Sequence, residues 1–277
     1  MAITPSPAPL TPRAFRVRLA LIVMLAVVAF GALLVVPRFP QDTAYHDFAD
    51  QRTLLHIPNA LNVLSNLPFV IFGVMGLAWL LSPAGRLPNA HFLHAWEWWA
   101  YLTLFAFVTL TGFGSASYHW NPTNATLYWD RLPLTVVFMT FFVLVFAERV
   151  GPRAGPWLLG PCLAFGIFGV TYWHWTEMHG DGDVRIYALV QFLPLLALPL
   201  LLLLFPARYT GTAALWGILA WYALAKLLEL LDRQVLAVNG VVSGHTLKHL
   251  IASLGALWIL LMLGQRQALG STDRAAV

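Results

Sequence analysis

The sequence has 277 residues, of which 59% are hydrophobic and only 10% are charged, and its formal net charge is +4. Soluble domains carry about a quarter charged residues, so this composition excludes a chain whose whole surface faces water. The small basic excess does not favour nucleic acid as a partner. The single cysteine, Cys162, excludes an intrachain disulfide and a four-cysteine zinc site. A lipid bilayer is therefore the expected surrounding.

The N-terminal segment predicts a flexible arm followed by a membrane helix. Residues 1–16 are rich in proline, which cannot donate backbone hydrogen bonds. The apolar run at 17–36 follows basic residues, as in a signal peptide, and Ala29-Phe30-Gly31 is a weak cleavage-like motif. Because the run exceeds the roughly 7–15 apolar residues of a signal-peptide core, an uncleaved transmembrane helix is favoured.

Seven further apolar runs each approach the roughly 20 residues that a helix needs to cross a bilayer. An alternating barrel pattern is absent, and helices are the remaining way to satisfy backbone polar groups in lipid. The sequence therefore predicts an all-α, polytopic membrane helix bundle that ends in a flexible tail at 266–277. The seven predicted helices are at about 61–81, 97–118, 132–147, 156–173, 186–205, 212–230 and 243–263.

The basic residues between these helices predict their orientation. With the N-terminus inside, nine arginines fall in inner segments and five in outer segments. The positive-inside rule then favours cytoplasmic N- and C-termini. In this topology His119, Asp130 and His245 all lie at the outer end of their helices, so they share one depth.

Three histidines in this outer layer are candidate metal ligands. His119 ends one predicted helix, whereas His245 and His249 are four residues apart and share a face of the last helix. Three neutral imidazoles suit zinc and leave one coordination position for water. The alternative is that these histidines are interface residues and that the His-x-x-x-His spacing arises by chance.

Two further polar residues accompany the histidines. Ser115 precedes His119 by one helical turn, and Asp130 follows it by eleven residues. Asp130 could accept a proton from water or orient a ligand histidine, and Ser115 could donate a hydrogen bond to an oxyanion. Gly112 and Gly114 are expected to allow close helix packing. The set predicts hydrolysis of an amide or an ester.

Several motifs together resemble the alkaline ceramidase family, within a superfamily of seven-helix membrane hydrolases that includes adiponectin-receptor-like proteins. The resemblance extends from about Asp47 to Leu263. The motifs that carry it are Gly112-x-Gly114-Ser115-x-x-x-His119, Asp130, Gly244-His245-x-x-Lys248-His249, Ser65-Asn66-Leu67-Pro68-Phe69 and Lys226-x-x-Glu229-x-x-Asp232.

The resemblance implies a seven-helix hydrolase core at 37–265, with the helix at 17–36 as an addition. It implies an intramembrane zinc ion and cleavage of the amide bond in ceramide-like N-acyl sphingolipids, so the expected partners are a lipid substrate and the bilayer. By position, the zinc ligands would be His119, His245 and His249, and the catalytic pair would be Ser115 and Asp130.

The resemblance also suggests a weak calcium site. Family members known for calcium dependence carry a run like Asp-Trp-x-Glu-x-Asn and a later Glu, where this chain has Asp47-Phe48-Ala49-Asp50-Gln51-Arg52 and Asn59. Asp47, Asp50 and Asn59 could supply oxygen ligands, which calcium needs in number. Arg52 stands where a ligand is expected and would repel a cation.

Two polar clusters have simpler interpretations. The segment from Trp173 to Arg185 is typical of an interfacial belt, with tryptophans at headgroup level, and could serve as a lid or substrate entrance. Lys226, Glu229 and Arg233 share a helical face, which predicts an internal charge pair. They could instead hold a lipid headgroup.

A second class of function stays open at this point. The chain could be a non-enzymatic receptor, lipid-binding protein or transporter that uses the same polar cluster as a ligand or proton site. It could also hydrolyse another lipid amide or ester. Transporters often show broken mid-membrane helices and internal repeats, which are not evident here.

Overall fold

A computed structural model describes residues 10–86 and 91–269 of the chain. Within these ranges the regular structure is helical and contains no β-strand. A short 3-10 helix, Thr43–His46, precedes the second α-helix. The α-helices are α1 (Pro12–Val35), α2 (Ala60–Leu64), α3 (Leu67–Leu81), α4 (Ala95–Trp120), α5 (Asn124–Arg149), α6 (Ala154–Met178), α7 (Arg185–Leu204), α8 (Thr212–Leu230), α9 (Asp232–Asn239) and α10 (Gly244–Gln265).

Eight helical segments in the described part of the chain are long and apolar enough to cross a membrane. Helices α2 and α3 together form one of these spans, whereas α9 is too short to be one. The prediction of an all-α membrane bundle with eight spans is confirmed at this level. The chain thus has the helices of a multi-pass integral membrane protein.

Two helices begin earlier than the sequence predicts because side chains cap their first turns. Helix α1 begins at Pro12 rather than at residue 17, since the Thr11 side chain accepts a hydrogen bond from the Ala14 amide and proline suits a first helical position. The last residues of the predicted flexible arm are therefore helical, and residues 1–9 lie outside the described ranges. Helix α5 begins at Asn124 rather than at residue 132, because Thr123 and Thr126 form a reciprocal capping box.

The start of the predicted C-terminal tail is fixed to the bundle. Arg266 is 3% exposed, and its Nε donates to the carbonyl of His91 at 2.7 Å. Its guanidinium forms a buried ion pair with Glu97 at 3.5 Å and lies 4.1 Å from the ring centroid of Tyr209. The prediction of a flexible tail is thus wrong for residues 266–269, where the buried carboxylate and aromatic faces hold the arginine. Residues 270–277 lie outside the described ranges.

The helices surround a central cavity. Helix α4 packs on α3 and α5, α5 packs on α6 and α7, and α10 packs on α8 and α3. Helix α1 packs on α7, and Ile22 is its one buried residue among those described. Phe15 and Leu19 also pack against the bundle, whereas Val27, Val28 and Leu34 are exposed, as expected for a helix with one face against lipid. The cavity lies between α4, α5, α7, α8 and α10.

Candidate metal centre

Three buried imidazoles from α4 and α10 meet at one end of the cavity. His119, His245 and His249 are 1%, 4% and 3% exposed. The Nε2 atom of His119 lies 3.2 Å from Nε2 of His249 and 3.3 Å from Nε2 of His245. All three ligand atoms lie within 4.8 Å of one another. Tetrahedral zinc with Zn–N bonds of about 2.0–2.1 Å places its ligand nitrogens about 3.3 Å apart, so the two close pairs have the spacing of zinc ligands.

Hydrogen bonding among the rings does not account for this arrangement. A ring nitrogen offers one in-plane site, which is either an N–H group or a lone pair. Nε2 of His119 faces two other Nε2 atoms and can therefore make a good hydrogen bond to only one of them. A divalent cation between the rings would engage all three lone pairs. The donor set thus fits zinc, although other borderline divalent metals accept imidazole too.

The start of α10 is built to present His245. The Ser243 side chain caps the helix by accepting from the Thr246 amide, and Asp232 Oδ1 accepts from the His245 amide at 2.7 Å. Asp232 Oδ2 also accepts from the amide of Ala49 at 2.9 Å. A Cβ on Gly244 would lie 2.2 Å from a backbone carbonyl oxygen of α8, so glycine is required where the two helices meet.

His249 is oriented from behind by the break between α2 and α3. Its Nδ1 lies 2.8 Å from the Ser65 hydroxyl, which in turn donates to the carbonyl of Asn62 at 3.0 Å. Because that hydroxyl proton is used, Ser65 accepts from an Nδ1–H group, and the Nε2 lone pair of His249 is left facing the cluster. The Phe48 ring covers the cluster, with its centroid 4.6 Å from that of His119.

The structure also brings Ser115 and Asp130 together. Their side chains are close enough to interact, and both line the cavity together with His249. A Cβ on Gly114 would lie 2.1 Å from the carbonyl oxygen of Trp129, so this glycine lets α4 and α5 approach closely at the pair. Gly112 faces Val70 of α3 in the same way, at 2.6 Å. The predicted packing role of both glycines agrees with these contacts.

A charged group adjoins the histidines. Glu229 forms an ion pair with Lys226, as predicted, and a second with Lys248 at 3.0 Å. The Lys248 ammonium also lies 2.9 Å from Nε2 of His245. A metal ion and this ammonium would compete for one lone pair, and Glu229 offers the ammonium another partner. Arg233 does not join this group, because it pairs with Asp47 at 2.6 Å.

The three candidate calcium ligands each have other partners. Both carboxylate oxygens of Asp50 accept from Arg52 at 2.8 Å, and this bidentate contact lowers the pKa of Asp50. Asp47 is engaged by Arg233, and the Asn59 amide nitrogen donates to the carbonyl of His119 at 2.9 Å. Arg52, which the sequence suggests would repel a cation, instead forms an ion pair with the Asp50 carboxylate. Calcium binding stays an untested prediction.

The cavity has a polar end and an apolar body. Its volume is about 470 Å³, which is within the usual range for small-molecule sites. Ser115, Asp130, Lys248 and His249 lie at the polar end. The apolar wall comes from α5, α7, α8 and α10 and includes Val137, Phe138, Phe141, Phe192, Ile218 and Ile259.

The surroundings of two residues beside this site differ from those that the sequence predicts. The predicted helix start at residue 132 places Arg131 in a loop, but this arginine lies in α5, is 6% exposed and lines the cavity. Trp173, in the predicted interfacial belt, is fully buried within the bundle, and its ring lies 4.3 Å from the Arg131 guanidinium. The available signal was the position of Arg131 directly after Asp130. The roles of Ser65 behind His249 and of Asp232 at the start of α10 were also missed.

Comparison with known proteins adds no assignment. No model of a known protein family matches the chain, and no curated protein sequence gives a significant match. Function is therefore proposed from the site and from the family resemblance of its motifs.

Proposed function

We propose that the protein is an intramembrane zinc-dependent hydrolase that cleaves the amide bond of ceramide-like N-acyl sphingolipids. The products would be a fatty acid and a sphingoid base. The observation that carries this proposal is the convergence of three histidine Nε2 atoms beside a Ser–Asp pair at the polar end of an apolar cavity. The resemblance to the alkaline ceramidase family supplies the substrate class and a seven-helix core, which would correspond to the spans after α1.

Each side chain of the site would have its own role in the reaction. Zinc held by His119, His245 and His249 would supply a water of lowered pKa and would polarise the substrate carbonyl. Asp130 would accept the proton of the attacking water and later deliver it to the leaving amine. The Ser115 hydroxyl, which lies beside Asp130, would donate to the developing oxyanion.

Substrate position follows from the shape of the cavity. The acyl chain would lie along the apolar wall formed by α5, α7, α8 and α10, because apolar surface is more stable against apolar side chains than against water. The amide would then lie at the polar end, beside His249. In the topology favoured by the loop charges, this end faces outward and both chain termini are cytoplasmic.

Metal analysis of purified protein tests the first half of the proposal. We expect about one zinc per chain, and we expect its loss in His119→Ala, His245→Ala and His249→Ala, because each removes one of three ligands. His179→Ala, which changes an exposed histidine outside the cluster, should keep its zinc and serves as the matched control. Wild-type zinc content in all three cluster variants would refute the assignment.

A lipid panel tests the second half. Release of fatty acid from a fluorescent N-acyl sphingosine, compared with a matched ester, would show whether the reaction occurs and which bond is preferred.

The contact between Lys248 and His245 favours one alternative, in which a metal-free polar cluster serves a receptor, lipid-binding protein or transporter. Absence of zinc together with no turnover of any lipid amide or ester would support that alternative.

A further inference from the structure

Arg131 forms part of the cavity wall and has an unused hydrogen-bond donor. Its guanidinium lies between aromatic faces, 4.3 Å from the ring centroid of Trp173 and 4.4 Å from that of Tyr187. Its Nη2 donates to Gln41 Oε1 at 2.6 Å. Its Nη1 is buried and has no hydrogen-bond partner among the described residues.

This buried arginine also lacks a counter-ion. In the described part of the chain, no carboxylate forms an ion pair with it within 4.0 Å. Glu177 lies near Trp173, the aromatic partner of Arg131, but does not pair with the arginine. It accepts instead from the amide of Gln41 at 2.5 Å and from Trp173 Nε1 at 3.2 Å. A buried charge is costly unless it is paired, and aromatic faces offset only about 2 kcal/mol. The site is therefore incomplete as it stands.

The charges that line the cavity do not cancel. Three cationic side chains line it, Arg131, Lys226 and Lys248, against two carboxylates, Asp130 and Glu229. Both lysines share Glu229, and Asp130 adjoins Ser115. The positive excess lies at Arg131, which directly follows Asp130 in α5.

We infer that Arg131 binds an anionic group of the substrate, so that the preferred substrate is an N-acyl lipid with a carboxylate or phosphate near its amide. A guanidinium suits both groups, because its planar N–H donors match their oxygens. Since Asp130 and Arg131 both line the cavity, the anion would share that cavity with the reacting amide. This inference rests on the proposed hydrolase function and narrows its substrate class.

Matched lipid pairs test the inference. N-palmitoylglycine and N-palmitoylethanolamine share chain and amide but differ in carboxylate against hydroxyl, and ceramide 1-phosphate against ceramide repeats the comparison for phosphate. For wild-type protein we expect kcat/KM at least about tenfold higher on one acidic lipid than on its neutral match, as a charged hydrogen bond would give. The pair in which the acidic lipid is preferred, carboxylate or phosphate, identifies the anion that Arg131 binds.

Three variants connect that preference to Arg131. Arg131→Gln should lower kcat/KM on the acidic lipid about tenfold more than on its neutral match. Gln41→Glu keeps the arginine and its aromatic packing but supplies the missing carboxylate at the 2.6 Å contact, so it should abolish the preference even if Arg131→Gln fails to fold. Arg233→Gln removes an exposed arginine elsewhere and should keep the preference.

The outcomes separate this inference from the hydrolase proposal. A zinc-loaded enzyme that cleaves neutral lipids with no acidic preference, or Gln41→Glu protein that keeps the preference, would overturn the inference and leave the hydrolase proposal standing. If no lipid is cleaved, binding of the N-palmitoylglycine and N-palmitoylethanolamine probes, measured by native mass spectrometry, decides the inference. Equal binding of the two probes to wild-type protein would then overturn it.

Discussion

Replacing Gly114 with alanine tests how α4 and α5 bring the Ser115–Asp130 pair together. The added Cβ would lie 2.1 Å from the carbonyl oxygen of Trp129, a backbone atom that cannot rotate away. That separation is about 1.3 Å short of the 3.4 Å at which ordinary contact begins. The two helices must therefore move apart by about 1 Å beside the pair.

The free-energy cost of this overpacking can be separated from the general stabilising effect of alanine in a helix. Overpacking of this kind costs about 1–3 kcal/mol, whereas alanine is favoured over glycine in a helix by about 1 kcal/mol. Gly160→Ala is the matched control, because Gly160 lies within α6 and nothing is within 4 Å of an added Cβ. Gly114→Ala should thus be about 1–3 kcal/mol less stable than Gly160→Ala.

Thermal unfolding in detergent and lipid-amide turnover measure the two consequences. A displacement of about 1 Å near reacting groups can cost about 100-fold in rate, so Gly114→Ala should lose turnover on that scale while Gly160→Ala keeps it. Equal unfolding temperatures and equal turnover for the two variants would refute the view that this helix contact positions the pair.

Three further predictions concern other contacts. Ser65→Ala should weaken zinc affinity about 10–100-fold in a chelator competition, since a metal-bound imidazole loses its supporting partner; unchanged affinity would contradict this. Hydrogen bonds from Arg185 lower the pKa of Asp183 in the loop after α6, so their stabilisation is present above about pH 4 and lost as pH falls through the lowered pKa. Unfolding temperatures measured from acid to neutral pH should fall less steeply below about pH 4 in Asp183→Asn than in wild type. Arg266→Met should cost about 3–5 kcal/mol in chemical unfolding because it leaves Glu97 buried without its cation; a smaller loss than about 1 kcal/mol would count against that ion pair.

The helices could be predicted because each membrane span is a continuous run of apolar residues in the sequence. All eight predicted spans occur, and the shared depth of His119, His245 and His249 correctly indicated that they meet. The helix starts were less accurate, since they depend on single side-chain caps such as Thr11 and Thr123.

The surroundings of the site depend on which helix faces which, and the sequence does not record this. Starting α5 at residue 132 left Arg131 in a loop, whereas the capped start at Asn124 places it two turns inside the helix, against Trp173. The same limit hid Ser65, whose contact with His249 requires α3 and α10 to be neighbours. Intervals along the chain identified the metal-ligand candidates but not the groups that support them.

The two oxygens of Asp232 join the segment between α1 and α2 to the buried histidines. One holds the amide of Ala49 and the other holds the amide of His245, so displacement of the segment around residues 47–52 would be passed directly to a ligand-bearing helix. An antibody fragment raised against that segment could therefore control the buried centre from the aqueous side. Such a reagent would never have to partition into hydrocarbon.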